Sequence, residues 1–188
     1  MNVNVAKLVP KNWIIKDKEN QIELSYSNNR AKSIVFPKYI EVNEKLMEGI
    51  GLFLGDGDLN RKEKCHLTYA SIDKDIAKEA LDFLIKRFKL NIKHISFNIQ
   101  YKTSNEKMEQ EWASYLNIQK SKIRTRFSNR HRYECISIQV NSVIFRKMFE
   151  IIIREILNEE FIKHPSLRRG LLRGLFAAEG NVGIDYLE

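Results

Sequence analysis

Two nine-residue segments of this 188-residue chain each place a carboxylate directly before a glycine, at the end of an apolar run. The first covers residues 49–57 with the sequence GIGLFLGDG, and the second covers residues 172–180 with the sequence LRGLFAAEG. When the two are aligned, both have Gly, Leu and Phe at their third to fifth positions, and their acids are Asp56 and Glu179. A pair of carboxylates can bind divalent metal ions, which activate water and neutralise charge during phosphodiester cleavage.

The elements that must position these acids have the pattern of two apolar helices with small residues along one stripe. Gly51 and Gly55 are four residues apart in the first segment, as are Gly174 and Ala178 in the second. Residues at this spacing lie on one helix face, and small side chains there let two helix backbones approach closely. The glycine that ends each segment suits a left-handed helix cap. If the helices pack through these four residues, the two acids meet at one end of the seam.

Both acids are placed where folding alone disfavours a negative charge. A carboxylate at a helix C-terminus faces the negative end of the helix dipole, at a cost of about 0.3–1 kcal/mol. Two carboxylates side by side also repel each other. A bound cation would offset both costs, so the pair favours a metal site. The alternative is that both segments are ordinary core helices whose acids merely cap them.

The two segments resemble the paired motifs of the LAGLIDADG homing endonuclease family. The match lies at the family's Gly, Leu, acid and Gly positions, and it departs at Leu54 and Ala177, where the family carries its first Asp. The resemblance implies an αββαββα unit for each motif, with an antiparallel sheet that lies on double-stranded DNA. It also implies Mg²⁺-dependent (or Mn²⁺-dependent) double-strand cleavage, with Asp56 and Glu179 as the metal-binding catalytic acids.

The predicted fold class is α+β, with one complete unit of this kind between the two acids. Residues 1–42 form an N-terminal extension, irregular over 1–20 and followed by a β-hairpin made of 21–27 and 33–36. The first αββαββα unit spans 43–157, and 158–170 are a linker. The helix of the second motif lies within 171–188, and we expect the remainder of a second unit to be absent from these 188 residues.

Within the first unit, caps and hydrophobic periodicity predict the helices. Asn43 is the expected N-cap of the first motif helix, and Ser71 the expected N-cap of a helix that runs to about Lys89. A short polar helix spans 105–116, and the last helix runs from about Ser142 to Leu157. Strands are expected over 56–61, 65–70, 93–102, 120–126 and, with Ile136, Ile138 and Val140 facing inward, just before Ser142.

The strand over 93–102 alternates most clearly between apolar and polar residues. One face is apolar, and the other carries side chains that can contact DNA, since Asn and Gln can form bidentate hydrogen bonds with adenine in the major groove. The candidate DNA-binding residues on this face are His94, Ser96, Asn98, Gln100 and Lys102. The alternative is a sheet face that is simply exposed to solvent.

The most basic stretch follows, with no acid between Ile118 and Tyr133. Its candidate DNA-binding residues are Lys120, Lys122, Arg124, Arg126, Arg130 and Arg132. The alternating cations at 120–126 fit one face of an extended strand, where they would contact phosphates and give salt-dependent affinity. A charged, solvated hairpin is the alternative.

The whole composition favours a polyanionic partner, because the formal net charge is +8. Two cysteines, Cys65 and Cys135, form neither a metal-ligand pattern nor a secreted disulfide framework. No apolar run reaches the roughly 18 residues of a membrane span, and no signal peptide is visible. We therefore expect an intracellular protein without a membrane partner.

Three functions fit these features. The first is a site-specific DNA endonuclease of the homing type, or a truncated or inactive form of one. The second is a non-cleaving DNA-binding protein, similar to transcription regulators that resemble this family. The third is a maturase that binds intron RNA, since a basic face serves RNA as well as DNA. A homodimer or a complementing chain could supply the missing second half.

Overall fold

Six helices and ten strands form the part of the chain that the computed structural model describes, namely residues 1–26, 33–58, 67–102, 107–128, 134–158 and 163–179. The helices are α1 (Val5–Leu8), α2 (Glu44–Gly55), α3 (Lys74–Phe88), α4 (Met108–Leu116), α5 (Val143–Ile156) and α6 (Pro165–Glu179). The strands are β1 (Asn2–Asn4), β2 (Trp13–Lys18), β3 (Gln21–Tyr26), β4 (Ile34–Pro37), β5 (Tyr39–Glu41), β6 (Gly57–Asp58), β7 (Leu67–Ser71), β8 (Ile95–Tyr101), β9 (Ile123–Phe127) and β10 (Cys135–Val140). The α+β class expected from the sequence is confirmed.

The largest sheet has five strands in the order β6-β7-β10-β8-β9. The expectation of an antiparallel sheet holds for its first three pairings, but the pairing of β8 with β9 is parallel. The reason lies in the connection, because α4 stands between these two strands in the chain. A strand can return parallel to its neighbour only through such a crossover, whereas a tight turn makes an antiparallel pair.

One face of this sheet covers the hydrophobic core. Ile95, Phe97 and Ile99 of β8 are buried, and their polar neighbours along the strand are only partly buried, as the alternation predicts. Ile136, Ile138 and Val140 of β10 are buried on the same face, again as predicted. The outer face of the sheet therefore keeps its polar side chains accessible.

An aromatic cluster ties α2 to the sheet and to two further helices. The ring of Phe53 lies 5.2 Å from that of Tyr69 in β7, 5.6 Å from that of Phe83 in α3 and 5.4 Å from that of Phe149 in α5. All four residues are 6% exposed or less. Because Phe53 precedes Asp56 by one helical turn, this cluster fixes the end of α2 where the acid stands.

The N-terminal extension belongs to the same core as the rest of the chain. The predicted hairpin is present as β3 and β4, which form a three-stranded sheet with β2. The expectation that 1–20 are irregular is wrong, since this segment contains β1, α1 and β2. The strand β1 forms only by pairing with β5, where Val3 is in register with Ile40, 37 residues away in the chain. A local pattern cannot reveal such a partner.

One of the two predicted helix caps is confirmed, and the residue predicted to begin the last helix is its N-cap. The Asn43 side chain accepts a hydrogen bond from the N–H of Leu46 at 3.0 Å, and Ser142 accepts one from the N–H of Phe145 at 3.1 Å. The N-cap of α3 is Asp73 instead of Ser71. The Asp73 carboxylate accepts hydrogen bonds from the N–H groups of Asp75 and Ile76, at 2.8 and 3.1 Å. Ser71 ends β7, and its hydroxyl accepts from the N–H of Asp73.

The expected linker over 158–170 is wrong in its second half, because α6 begins at Pro165. A proline fits the first turn of a helix, where its missing N–H would have had no partner. The helix of the second motif therefore begins six residues before position 171 and continues to Glu179. Within the described residues, no helix is both long enough and apolar enough to cross a membrane.

Candidate functional site

The helices α2 and α6 run side by side in the same direction, and glycines line the seam between them. A Cβ atom added to Gly51 would lie 2.8 Å from the backbone nitrogen of Leu175 and 2.9 Å from the Cα of Gly174. A Cβ added to Gly174 would lie 2.9 Å from the backbone nitrogen of Leu52. Distances this short leave no room for a side chain, so the two backbones are in direct contact. The sequence predicted this packing from the spacing of the small residues.

The seam ends at the two acids. A Cβ atom added to Gly55 would lie 2.5 Å from the Cβ of Ala178 and 3.5 Å from the Cγ of Glu179. The side chain of Glu179 is therefore next to the residue that precedes Asp56. The two carboxylates come from different helices, 123 positions apart in the sequence, and only this packing brings them together.

The electrostatics of this end of the seam match two carboxylates in close proximity. Partial burial raises the pKa of Asp56 above its ordinary value of 3.8, and the negative charge of Glu179 raises that pKa further. Asp56 is also the C-cap of α2, with its N–H donating to the carbonyl of Leu52 at 3.2 Å. Its charge is therefore placed at the negative end of the helix dipole, in addition to facing Glu179.

The glycine after Asp56 does not form the left-handed cap that the sequence suggested. No described glycine has a positive φ, and the C-cap Asp56 has right-handed helical angles (φ −99°, ψ −2°). Gly57 instead begins β6, where an added Cβ would lie 2.9 Å from the carbonyl carbon of Phe53 and 3.0 Å from its Cα. Gly57 is thus required by a close backbone approach, which lets the chain pass directly from helix to sheet. Gly180 lies outside the described residues.

The donor set at this site suits a hard divalent cation. Carboxylate oxygens are the ligands that Mg²⁺ prefers, and Mg²⁺ commonly takes only one or two of them while keeping several waters. Among the described residues, no group of three or more His, Cys, Asp or Glu side chains is arranged to hold a metal. Asp56 and Glu179 are the two carboxylates at this end of the seam that could hold such an ion.

An ion-pair cluster links the two helices at the other end of the seam, and the sequence analysis missed it. The Arg173 side chain on α6 is paired with Glu44 and lies 3.3 Å from Glu48, both on α2. Lys45 approaches the same Glu48 carboxylate at 2.9 Å. The available signal was the opposite charges on the two motif helices, with Glu44 and Glu48 on one and Arg173 on the other. This cluster favours the parallel register that brings the acids together.

Two further polar groups near Asp56 were also missed. Tyr69 pairs with Gly57 across the β6–β7 ladder and is fully buried, and its hydroxyl has no hydrogen-bond partner among the described residues. Burial raises the pKa of Tyr69, and the charge of Asp56 raises it further. The buried thiol of Cys135 is affected in the same way, since burial and then Asp56 raise its pKa. Neither residue lies in a recognisable motif, so no sequence signal identified them.

The outer face of the large sheet carries five of the eleven predicted DNA-binding residues, namely Ser96, Asn98, Gln100, Arg124 and Arg126. Asn98 is in register with Arg124 on one side and with Ser137 on the other, and Gln100 is in register with Arg126. The Ser96 hydroxyl accepts a hydrogen bond from the side-chain amide of Asn141 at 2.8 Å. His94 is not on this strand as expected, because it ends a 3₁₀ turn (Ile92–His94) before β8, and Lys102 is exposed just after β8.

The expectation that the cations at 120–126 share one face of a single strand is wrong for the first two. Lys120 and Lys122 lie in a 3₁₀ turn, and the Lys120 ammonium is 3.4 Å from Glu109 of α4. The turn forms because α4 ends only four residues earlier and the chain must bend back to reach the sheet. Arg124 and Arg126 are on the outer face of β9 and exposed. Arg130 and Arg132 lie outside the described residues.

Comparison of the chain with protein-family models, with curated proteins and with solved structures finds no match in any of the three. Its function must therefore be inferred from the two acids at the end of the seam and from the outer face of the sheet.

Proposed function

We propose that this protein is a site-specific DNA endonuclease of the LAGLIDADG homing type, which hydrolyses phosphodiester bonds with the help of Mg²⁺ or Mn²⁺. The observation that carries the proposal is the meeting of Asp56 and Glu179 at one end of a close-packed, parallel helix pair. The helices, the glycine contacts and the adjoining sheet with its polar outer face all agree with the αββαββα unit of that family. The extra helix α4 and the parallel strand β9 are additions to that plan.

Asp56 and Glu179 would hold the metal ion between the two helix ends. A bound Mg²⁺ supplies an activated water and neutralises charge on the attacked and leaving phosphate oxygens. The protein's own contribution is to hold two carboxylates together despite their repulsion and the helix dipole. The contact between Gly55 and Ala178 holds the two helix ends together, and the Phe53 cluster fixes the end of α2 relative to the sheet.

Double-stranded DNA would bind on the outer face of the sheet. The acids are at helix ends and the polar face is formed by strands, so metal binding and DNA binding use different residues. The net charge of +8 supplies general attraction to the phosphate backbone. Substitution of either acid is therefore expected to remove cleavage while DNA binding persists.

A non-cleaving DNA-binding protein is the second candidate, and the exposed side of α6 favours it. Phe176 occupies the place in the second motif that Phe53 occupies in the first, yet Phe53 is 1% exposed and Phe176 is 61% exposed. Leu172, one turn earlier, is 50% exposed. We propose that a second copy or a complementing chain covers this side of α6. Without such a partner, a single sheet would bind DNA on one side of the two acids only, and this favours binding without cleavage.

The test uses the purified chain, a library of double-stranded DNA and Mg²⁺, with sequencing of any ends that appear. Wild type is compared with Asp56→Asn and Glu179→Gln, and with Glu155→Gln as a matched control, because Glu155 is an exposed acid on α5. We expect new DNA ends only with wild type and the Glu155→Gln control, whereas all four proteins should bind DNA. Cleavage that survives in both acid variants would overturn the metal-site assignment.

Two other results would redirect the proposal. If wild type binds DNA and Mg²⁺ but produces no ends, the binding-protein function replaces the endonuclease. If structured intron RNA competes with DNA for the protein and binds more tightly at the same salt concentration, the maturase function is favoured instead.

A further inference from the structure

The strand β2 is the edge strand of the three-stranded N-terminal sheet, and its free edge is open to solvent. It pairs with β3 on one side only. All of its residues after Trp13 are exposed, and Ile14 and Ile15 keep 41% and 40% of their surface accessible. An open strand edge that carries apolar side chains is a template on which a further strand can pair.

The register of the β2–β3 hairpin shows which backbone groups lie at this free edge. The pair Lys18↔Gln21 flanks a two-residue loop and is therefore hydrogen-bonded, and bonded pairs recur at every second residue. By this alternation, the N–H and C=O groups of Ile15 and Asp17 point away from β3. The same alternation leaves Pro37 of β4, which has no N–H, at a non-bonded position. Among the backbone hydrogen bonds of the described ranges, none uses the outward groups of Ile15 or Asp17.

A two-fold axis through Ile15 would let the β2 strands of two copies pair in an antiparallel ladder. Each Ile15 N–H would donate to the Ile15 carbonyl of the other copy, and each Asp17 N–H would donate to the Trp13 carbonyl of the other copy. No two like charges would then be directly opposite each other. The residues that face each other across the axis would be Ile15 and Ile15, Ile14 and Lys16, and Asp17 and Trp13.

The neighbouring symmetric registers are less favourable. An axis through Lys16 places two lysines directly opposite each other, and an axis through Asp17 does the same with two aspartates. Like charges in such pairs destabilise a sheet. An axis through Ile14 would need the N–H of Trp13, which already donates to the carbonyl of Pro10 at 3.0 Å. The sequence of β2 is therefore self-complementary in one register, as a two-fold interface requires.

We propose that β2 is a self-association edge, at which a second copy of this chain pairs antiparallel about Ile15 and joins two three-stranded sheets into one of six strands. The two-fold symmetry uses both free edges, so association stops at the dimer. Pairing through one strand buries less surface than the roughly 1,200 Å² of a stable complex, so we expect a dimer that dissociates on dilution. The inference does not depend on the proposed endonuclease activity.

Sedimentation equilibrium of the full chain in EDTA, over a range of protein concentrations, tests the association. Wild type should exceed the 22.2 kDa of one chain at high concentration and return to it on dilution. Ile15→Pro removes only an outward N–H, at an edge position that tolerates proline, and should abolish the dimer. Ile15→Lys should abolish it as well, because it places two cations directly opposite each other without changing the backbone.

Ile72→Lys is the matched control, because Ile72 is 58% exposed and lies outside β2, directly after β7. It should keep the dimer. Circular dichroism verifies that each variant is folded, and Ile15→Lys decides the result if Ile15→Pro unfolds.

Cross-linking tests the register itself. In the proposed ladder, residue 14 of one copy and residue 16 of the other form a non-bonded pair with Cα atoms about 4.5 Å apart, a distance that a disulfide can span. Under mild oxidation, a mixture of Ile14→Cys and Lys16→Cys should yield a cross-linked dimer that contains one chain of each. Either variant alone should cross-link no more than wild type, which is the blank for the native cysteines.

Three results would overturn the inference. The first is a wild type that stays at the mass of one chain at every concentration. The second is cross-linking by Ile14→Cys alone, which requires another register. The third is a dimer that persists in both Ile15 variants and is lost in Phe176→Lys, because such a dimer forms through the exposed side of α6. This third result would leave the proposed function in place.

Discussion

Gly55 and Ala178 are in contact across the α2–α6 seam so closely that a Cβ atom on Gly55 would lie 2.5 Å from the Cβ of Ala178. Real Cβ atoms do not approach each other to this distance, so one of the two positions must lack a side chain. The next residues along the two helices are the acids Asp56 and Glu179. This contact therefore holds the two acids at the same end of the seam.

Enlarging Gly55 should destabilise the seam. Gly55→Leu is expected to cost about 1–3 kcal/mol in the free energy of unfolding, because the side chain must displace Ala178 and the α6 backbone. Urea unfolding followed by circular dichroism measures this change. Gly55→Ala should also be destabilising, and Ala178→Gly added to it should restore part of the loss by removing the clashing methyl group. A Gly55→Leu variant as stable as wild type would mean that the helices are not in contact here.

Removing the charge of Asp56 should make the metal-free protein more stable at neutral pH. The pKa of Asp56 is raised in the folded protein. The stability that this carboxyl group contributes is therefore fully present below its ordinary pKa of 3.8, and it is lost as pH rises through the folded pKa. Asn does not ionise, so Asp56→Asn avoids this loss. The variant should therefore become more stable than wild type as pH rises above 3.8. Urea unfolding at a series of pH values in EDTA measures it, and an equal gap at all pH values would contradict it.

Glu23 provides a control of opposite sign. Hydrogen bonds from Ser33 and Lys18 lower the pKa of Glu23 below its ordinary value of 4.5. The stability that the Glu23 carboxylate contributes is therefore present above pH 4.5 and is lost as pH falls through the folded pKa. Glu23→Gln should reduce stability at neutral pH and have no effect in strong acid. The same unfolding series measures both variants.

The cap of α3 can be tested by two substitutions two residues apart. Asp73→Ala should cost about 0.5–2 kcal/mol in the free energy of unfolding, because two N–H groups of the first turn lose their acceptor. Ser71→Ala should cost less, since the Ser71 hydroxyl accepts only from the N–H of Asp73. Thermal unfolding of the two variants compares them, and a larger loss in Ser71→Ala would contradict the structure.

The buried hydroxyl of Tyr69 should contribute nothing to stability. Since it has no partner among the described residues, Tyr69→Phe is expected to leave the free energy of unfolding unchanged or to raise it by up to about 1–3 kcal/mol. Tyr115 is the matched control, because its hydroxyl donates to the carboxylate of Asp75, and Tyr115→Phe should be destabilising. A clear loss of stability in Tyr69→Phe would show that this hydroxyl has a partner in solution.

Local patterns in the sequence determined most of the elements after residue 20 and the candidate acids. Asn43 caps its helix through a contact within three residues, and the alternation of β8 needs only its own residues to be recognised. The matched spacing of Gly51 with Gly55 and of Gly174 with Ala178 likewise defined two faces able to pack. Each of these inferences depends on interactions between residues close together in the chain, which a pattern records directly.

The tertiary structure decided what depends on residues far apart in the chain. The parallel placement of β9 beside β8 follows from where α4 packs, and the pairing of Lys120 with Glu109 follows from the same turn. The pairing of β1 with β5, the Arg173 ion pairs across the seam and the orphaned hydroxyl of Tyr69 also arise only after packing. A sequence pattern shows which face of an element is apolar, but the free energy that selects its neighbour comes from contacts that the pattern does not contain.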